Sequence, residues 1–251
     1  MGKHFKPTNN KVVILSMLRT LFLIMLVISI VYIIKWYIYS KQNTVLEDKV
    51  SEAILVENTE NEKEMQYTVD FEKLKNMNEE TVGWLKVKGT NIEYAIVKSS
   101  DNSYYLNHNF EKKYNSGGWI FADYKNKFDG TDKNIVIYGH NMKDNSMFGS
   151  LKNILDEEWY NNEENYIIGF ITEKEQQKYQ VFSVYKIENE DYYIDTEFKK
   201  NEFSKFTDTL KKRSIKDFDL EITEEDSILT LSTCADNNKY RIVLHAKKIK
   251  E

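Results

Sequence analysis

The stretch Gly83-Trp84-Leu85-Lys86-Val87-Lys88-Gly89-Thr90-Asn91-Ile92-Glu93-Tyr94-Ala95-Ile96-Val97 decides the fold class. Residues 83–87 and 92–97 are short runs, apolar or alternating, and the four residues between them contain Gly89 and Asn91. A period of two interrupted by turn-forming residues marks two strands joined by a turn. The signal recurs along the chain. Residues 119–122 follow Gly117-Gly118, residues 134–140 read NIVIYGH, and 166–172, 179–187, 227–234 and 240–247 complete the set of expected strands. Helices are expected over about 146–155 and 200–212. Successive strands lie too close in sequence for βαβ crossovers, so the reading is a mostly antiparallel barrel or sandwich carrying a few helices.

Composition narrows the functional classes. The 251 residues are 41% hydrophobic and 30% charged, too charged for a polytopic membrane protein and too apolar for a disordered chain. The single Cys excludes a disulfide framework and a Cys-based zinc cluster. The net charge of -5 argues against nucleic acid as a partner. That average hides a split: residues 1–35 hold Lys3, Lys6, Lys11, Arg19 and Lys35 and no acid, which leaves 30 basic and 40 acidic groups for the rest.

A basic end on an acidic body suggests a membrane boundary between them. Residues 12–34 (VVILSMLRTLFLIMLVISIVYII) carry Arg19 as their one charge. At about 1.5 Å per residue such a helix reaches across a ~30 Å hydrocarbon core. Lys35-Trp36-Tyr37-Ile38-Tyr39 follows, an aromatic and basic belt in place of a small-residue cleavage site, so an uncleaved anchor is expected. Four Lys or Arg on the N-terminal side (with Arg19) against Lys35, Lys41 and Lys49 on the other, and a short tail, favour a cytoplasmic N-terminus. The expected organisation is a tail over 1–11, a transmembrane signal anchor over 12–34, a stalk or N-terminal helix over 35–66, and a catalytic domain over 67–251. Within the stalk, Val45, Leu46, Val50, Ala53, Ile54 and Leu55 have the spacing of a short amphipathic helix ending in the charged run 57–64. Asp70 is the expected cap of a second helix with Phe71, Leu74 and Met77 on one face.

Cys234 is the first candidate for chemistry. A lone Cys is usually a buried small hydrophobe. Outside a membrane, however, an unpaired thiol is exposed to oxidation, and Cys234 ends the expected strand 228–234. Alternation puts it on the face of Ser232 and Thr230, opposite Leu229 and Leu231. A thiol nucleophile needs a base or a cation, because the thiolate attacks and the free pKa is about 8.5. Of the four His, His4 lies before the anchor and His108 sits in a polar loop where solvation is expected. His245 alternates along the last strand and reads as structural. His140 closes an apolar strand directly after Gly139, where a strand opens into a loop, a common place for a catalytic group. Arg241 begins the strand after the loop 235–239; that hairpin-like unit can bring a permanent cation beside the thiol.

These residues resemble the sortases. Thr230-Leu231-Ser232-Thr233-Cys234 matches the family's T-L-x-T-C signature, Arg241 stands seven residues on at the place of the sortase arginine, and His140 in Tyr138-Gly139-His140-Asn141 looks like the sortase histidine. The segments Tyr104-Tyr105-Leu106, Gly118-Trp119-Ile120-Phe121-Ala122-Asp123 and 137–148 look most like class B, as do the N-terminal helices and the long insert before the Cys234 strand. The resemblance covers roughly 67–251. It implies an eight-stranded sortase-type barrel with peripheral helices behind an N-terminal transmembrane helix. It further implies a membrane transpeptidase of Gram-positive bacteria that cuts a sorting motif, N-P-x-T-x-like for class B, after its Thr. The new carboxyl end is then joined to an amino group of a peptidoglycan precursor, without a metal cofactor. Partners would be surface proteins bearing the motif and a lipid-linked precursor amine, with the domain facing the cell wall.

Carried over residue by residue, Cys234 is the nucleophile, His140 the acid and base, and Arg241 the oxyanion or substrate-backbone partner. Ser232, Thr233, Asn141 and Tyr138 are the candidate substrate-binding residues. Asp236, in the loop after Cys234, has no assigned role. The rival readings are a cysteine peptidase that only hydrolyses and a non-catalytic, membrane-tethered binding module. Papain-like enzymes place Cys before His, the reverse of the order here, and the caspase signature is missing.

Overall fold

The computed structural model describes residues 10–57, 66–188, 190–234 and 239–250. The tail before residue 10, most of the charged run 57–64 and Asp236 lie outside the described residues. The chain divides after Gln42 into two units. Helix α1 spans Asn10–Ser51, and its 42 residues are long and apolar enough to cross a membrane, with a mean hydropathy of 2.5 over its most apolar window.

From Asn43 onward α1 is a domain helix: Asn43, Leu46 and Val50 are buried, one face at helical spacing. Sequence spacing extends that helix through Ile54 and Leu55, but the chain leaves it at Ser51. Strand β1 (Ile54–Glu57) pairs antiparallel with β2 (Gln66–Val69) in a two-stranded sheet. Short apolar runs with β-branched residues fit either element, and here pairing settles the outcome. Helix α2 (Phe71–Met77) follows. Asp70 caps it as expected, accepting from the Lys73 N–H at 2.8 Å, and Phe71 and Leu74 face the core.

Strands β3 (Thr81–Val87) and β4 (Glu93–Val97) form the expected hairpin, with Gly89 at φ +71° in its turn, where a side chain would be strained. The remaining elements are β5 (Phe121–Ala122), β6 (Asn134–His140), the short helix α3 (Glu157–Tyr160), β7 (Ile167–Ile171), β8 (Gln176–Glu188), α4 (Phe203–Arg213), β9 (Ile228–Cys234) and β10 (Tyr240–Lys248). Residues 149–155, expected as α-helix, form 3-10 turns.

Eight strands close into a barrel in the order β10-β8-β7-β3-β4-β5-β6-β9. Closure removes the exposed edges a sandwich would keep. Most neighbours are antiparallel; β4–β5 and β6–β9 are parallel. In β6 the run Ile135-Val136-Ile137 is buried throughout, as expected of a strand covered on both faces. Inside, Leu85, Ile96, Ile137, Phe170, Leu229, Leu231 and Leu244 belong to one core. A second cluster containing Phe182, Tyr185, Tyr193, Phe203, Leu210, Ile228 and Val243 packs β8, β9 and β10 against α4 and the segment before it. Each fully buried side chain of this size contributes roughly 1.5–3 kcal/mol. The Thr230–Ser232 face is therefore buried under the insert between β8 and β9, although alternation alone marks it as the less apolar face.

Candidate active site

The parallel β6–β9 ladder runs in register from Asn134↔Ile228 to His140↔Cys234, and both strands end on that last pair. Parallel neighbours lie about 4.8 Å apart. Two residues 94 positions apart are thereby fixed side by side at the barrel's end. On the other side of β9, β10 pairs antiparallel through Val243↔Ser232, and the Ile242 N–H donates to Thr233 Oγ1 at 2.9 Å. Arg241 is the next residue, with Ile187 of β8 as its partner on the far side. Three adjacent strands thus carry the three residues singled out in the sequence.

His140 is half-buried and its ring is held. Its Nε2 lies 2.6 Å from the Leu106 carbonyl oxygen. A carbonyl only accepts, so Nε2 carries a proton and Nδ1 is the nitrogen left to face a partner. The His140 carbonyl accepts from the N–H groups of Met142 and Phe148, both at 3.0 Å, which ties the following loop back to the strand end. Gly139 is required by packing: a Cβ there would sit 2.7 Å from the Phe148 ring.

Beside these residues lies a cavity of about 260 Å³. Leu106, Tyr138, Ile194, Ser232, Thr233 and Arg241 line it, together with Asn102, Phe121, Tyr193 and the acids Glu190 and Asp191. Three of the four candidate substrate-binding residues therefore meet there. The Ser232 hydroxyl hydrogen-bonds Tyr193 Oη at 2.9 Å, and Thr233 Oγ1 takes the Ile242 N–H, so both hydroxyls serve the scaffold. Asn141 is placed differently: it bridges to Met147 and does not line the cavity. Asn102, Tyr193 and Ile194 were not singled out in the sequence. They sit in irregular segments without a motif, and only the topology brings them to β6 and β9.

The other described histidines are accounted for. His108 is stacked on Tyr104, with ring centroids 4.1 Å apart, and its Nδ1 lies 2.8 Å from the Tyr104 carbonyl oxygen; it is less solvated than its polar loop suggests. His245 is fully buried, and burial pulls its imidazole down to about 3. Thr230 donates its hydroxyl proton to Asn134 Oδ1 at 2.7 Å, so His245 Nδ1 donates to Thr230 Oγ1 and Nε2 accepts from Tyr185 Oη. Asn134 Nδ2 in turn donates to the carbonyls of Tyr193 and Asp195, which anchors one cavity wall to β6. Among the described residues no group of three or more His, Cys, Asp or Glu is disposed to hold a metal ion.

This burial has a pH consequence. With the folded pKa near 3 and an unfolded value of 6.5, the unfolded chain binds the extra proton first as pH falls. The neutral His245 therefore contributes stability above pH 6.5 that is lost progressively down to about pH 3. Between pH 7 and 5 the loss is about 2 kcal/mol. Denaturant unfolding at both pH values should show wild type losing about that much more than His245→Gln. Equal losses would mean that the imidazole becomes charged without cost.

The profile of the sortase domain family matches residues 85–249, which is the barrel from within β3 through β10. The chain belongs to the sortase family, whose members are cysteine transpeptidases that anchor surface proteins. Its relatives place it with the sortase B enzymes. It is 32% identical to sortase B of Staphylococcus aureus over 240 residues, 94% of this chain and 97% of that one. It is 36% identical to sortase B of Listeria monocytogenes over 180 residues, 70% of this chain and 72% of the relative. Among solved structures, sortase B from Bacillus anthracis superimposes with a TM-score of 0.74 at 34% identity, covering 86% of this chain and all of that one. A Staphylococcus aureus sortase B–substrate complex gives 0.68 at 37% identity, covering 72% and 85%.

Proposed function

We propose that this chain is a membrane-anchored class B transpeptidase acting outside the cell. It cleaves an N-P-x-T-x-like sorting motif after Thr and joins the Thr carboxyl to an amine of a lipid-linked peptidoglycan precursor. The observation that carries the reading is the terminal His140↔Cys234 pair of two parallel strands, with Arg241 on the next strand. Residues 12–34 are read as the anchor, 1–11 as the cytoplasmic tail, 35–66 as the stalk and N-terminal helix, and 67–251 as the catalytic domain on the wall side.

The chemistry is acyl transfer in two halves. The Cys234 thiolate attacks the Thr carbonyl carbon, and the oxygen of the tetrahedral intermediate takes hydrogen bonds from the Arg241 guanidinium. The carbon–nitrogen bond then breaks as His140 Nδ1 gives its proton to the leaving amine, which leaves a thioacyl-enzyme. The incoming amine loses a proton to Nδ1 as it attacks, the carbon–sulfur bond breaks, and the Cys234 thiolate is restored. Nε2, held on Leu106, keeps its proton throughout and fixes which nitrogen works.

Two tests bear on this reading. The rate on a motif peptide should follow a bell-shaped pH profile, because a thiolate and an imidazolium must coexist. A rate that keeps rising well above the thiol's ionisation would remove His140 as the acid. A chain lacking about the first 35 residues should be soluble and keep its activity on peptides, because the long apolar run ends at residue 34. An insoluble, inactive fragment would make that run part of the folded domain.

A further inference from the structure

Asp123 lies directly after β5, is 2% exposed and does not line the cavity. Its backbone N–H donates to the Val136 carbonyl of β6 at 2.8 Å, so its place is set by the barrel. Its Oδ1 accepts from the Lys125 N–H at 2.9 Å. Its Oδ2 accepts twice, from Asn102 Nδ2 at 2.8 Å and from Tyr138 Oη at 2.8 Å. Both donors line the cavity that holds Arg241. Asn102 is fixed from its other end too, since its Oδ1 accepts from the Tyr124 N–H at 3.0 Å. The amide therefore has one orientation: turning it over would set oxygen against carboxylate and NH2 against N–H.

We propose that Asp123 is a positioning residue for sorting-motif binding, holding the Asn102 amide and the Tyr138 hydroxyl in the single orientation in which the cavity receives the peptide. This rests on the function proposed above, with the sorting motif taken to bind in the cavity where Tyr138, Ser232 and Thr233 meet. The physical reason for a carboxylate is that it accepts only, so two donors can converge on one oxygen. Asparagine has the same shape and the opposite effect. Its oxygen is drawn to the Lys125 N–H, which leaves its NH2 facing Asn102 Nδ2 and Tyr138 Oη. Relief requires Asn102 to turn over and give up the Tyr124 N–H, and Tyr138 to point its proton elsewhere. The backbone of the barrel is untouched while both cavity groups reverse.

The test is steady-state kinetics of the full chain in detergent micelles on an N-P-x-T-x peptide with an amine acceptor. Asp123→Asn should raise KM about tenfold, the scale of one lost hydrogen bond to a charged group, with kcat within threefold. Asn102→Leu should raise KM similarly, and the double variant should be no worse than the poorer single, because both act through one amide. Should Asp123→Asn not fold, Tyr138→Phe removes one donor to the same carboxylate and should raise KM about threefold. A merely structural Asp123 predicts a lower melting temperature with KM intact, and that result overturns the proposal, as does a double variant whose losses multiply. A wild type that neither binds nor turns over the peptide overturns the peptide reading of the cavity and this proposal with it. An active wild type with unchanged KM in Asp123→Asn overturns this proposal alone.

Discussion

Cys234→Ala is expected to abolish thioacyl-enzyme formation while leaving the barrel folded. The residue is the last of β9, and the strand is anchored upstream by Ile228, Leu229 and Leu231, each 0% exposed. Removing one sulfur at the strand's end leaves that burial intact, so the melting temperature should move little. The chemistry has no substitute: covalent catalysis needs the thiolate, and no other Cys exists in the chain. A structural cysteine would show the reverse, with modest destabilisation and retained turnover. His140→Ala should lose most of the rate as well, since neither thiolate pairing nor protonation of the leaving amine survives. Near-normal turnover in that variant would move the acid to another histidine. His108 would be tested first, although its ring is stacked on Tyr104.

Arg241→Lys separates two roles that a deletion would confuse. If Arg241 only balances charge beside Cys234, lysine should keep most of the activity. If it gives several fixed hydrogen bonds to the carbonyl oxygens and the developing oxyanion, a flexible point charge without the planar fork is a poor replacement. The second case is favoured by placement. Arg241 sits on a strand paired to Ile187, one residue from the Ile242 N–H that is tied to Thr233, and lines the cavity next to the strand that ends in Cys234. Loss of one oxyanion donor costs about 10²–10³ in kcat. Arg241→Lys should therefore fall by about two orders of magnitude or more on a motif peptide, while Cys234 still reacts with a small thiol reagent. A variant within a few-fold of wild type would leave Arg241 as a general electrostatic partner.

Much of the fold is written locally. The turn at Gly89 and the alternation around it specify β3 and β4, and Asp70 with Phe71 and Leu74 specifies α2 and its cap. Strands β6, β9 and β10 are apolar or alternating runs that border loops. What local pattern cannot encode is the partner of each strand. The period of two is the same for parallel and antiparallel ladders, so the His140↔Cys234 pair was legible only through resemblance. Ile54 and Leu55 failed for a related reason: a short apolar run suits helix or strand, and β2 across from it decides. The cavity walls were less legible still. Asn102, Tyr193 and Ile194 reach the cavity because of where the insert and the β4–β5 loop come to rest, which depends on burial of Tyr193 and on Asn134 holding its carbonyl.

The central claim, that Cys234 is acylated by a sorting-motif peptide and the acyl group passes to an amine, is tested most directly by intact-mass spectrometry. The chain is mixed with an N-P-x-T-x peptide, with and without candidate amines, and both protein and peptide products are weighed. The expected result is a mass increase equal to the peptide up to its Thr, located on Cys234 and absent in Cys234→Ala, which disappears as a Thr–amine conjugate accumulates. An unmodified wild-type chain, or release of free Thr acid alone whatever amine is present, would contradict transpeptidation by this site.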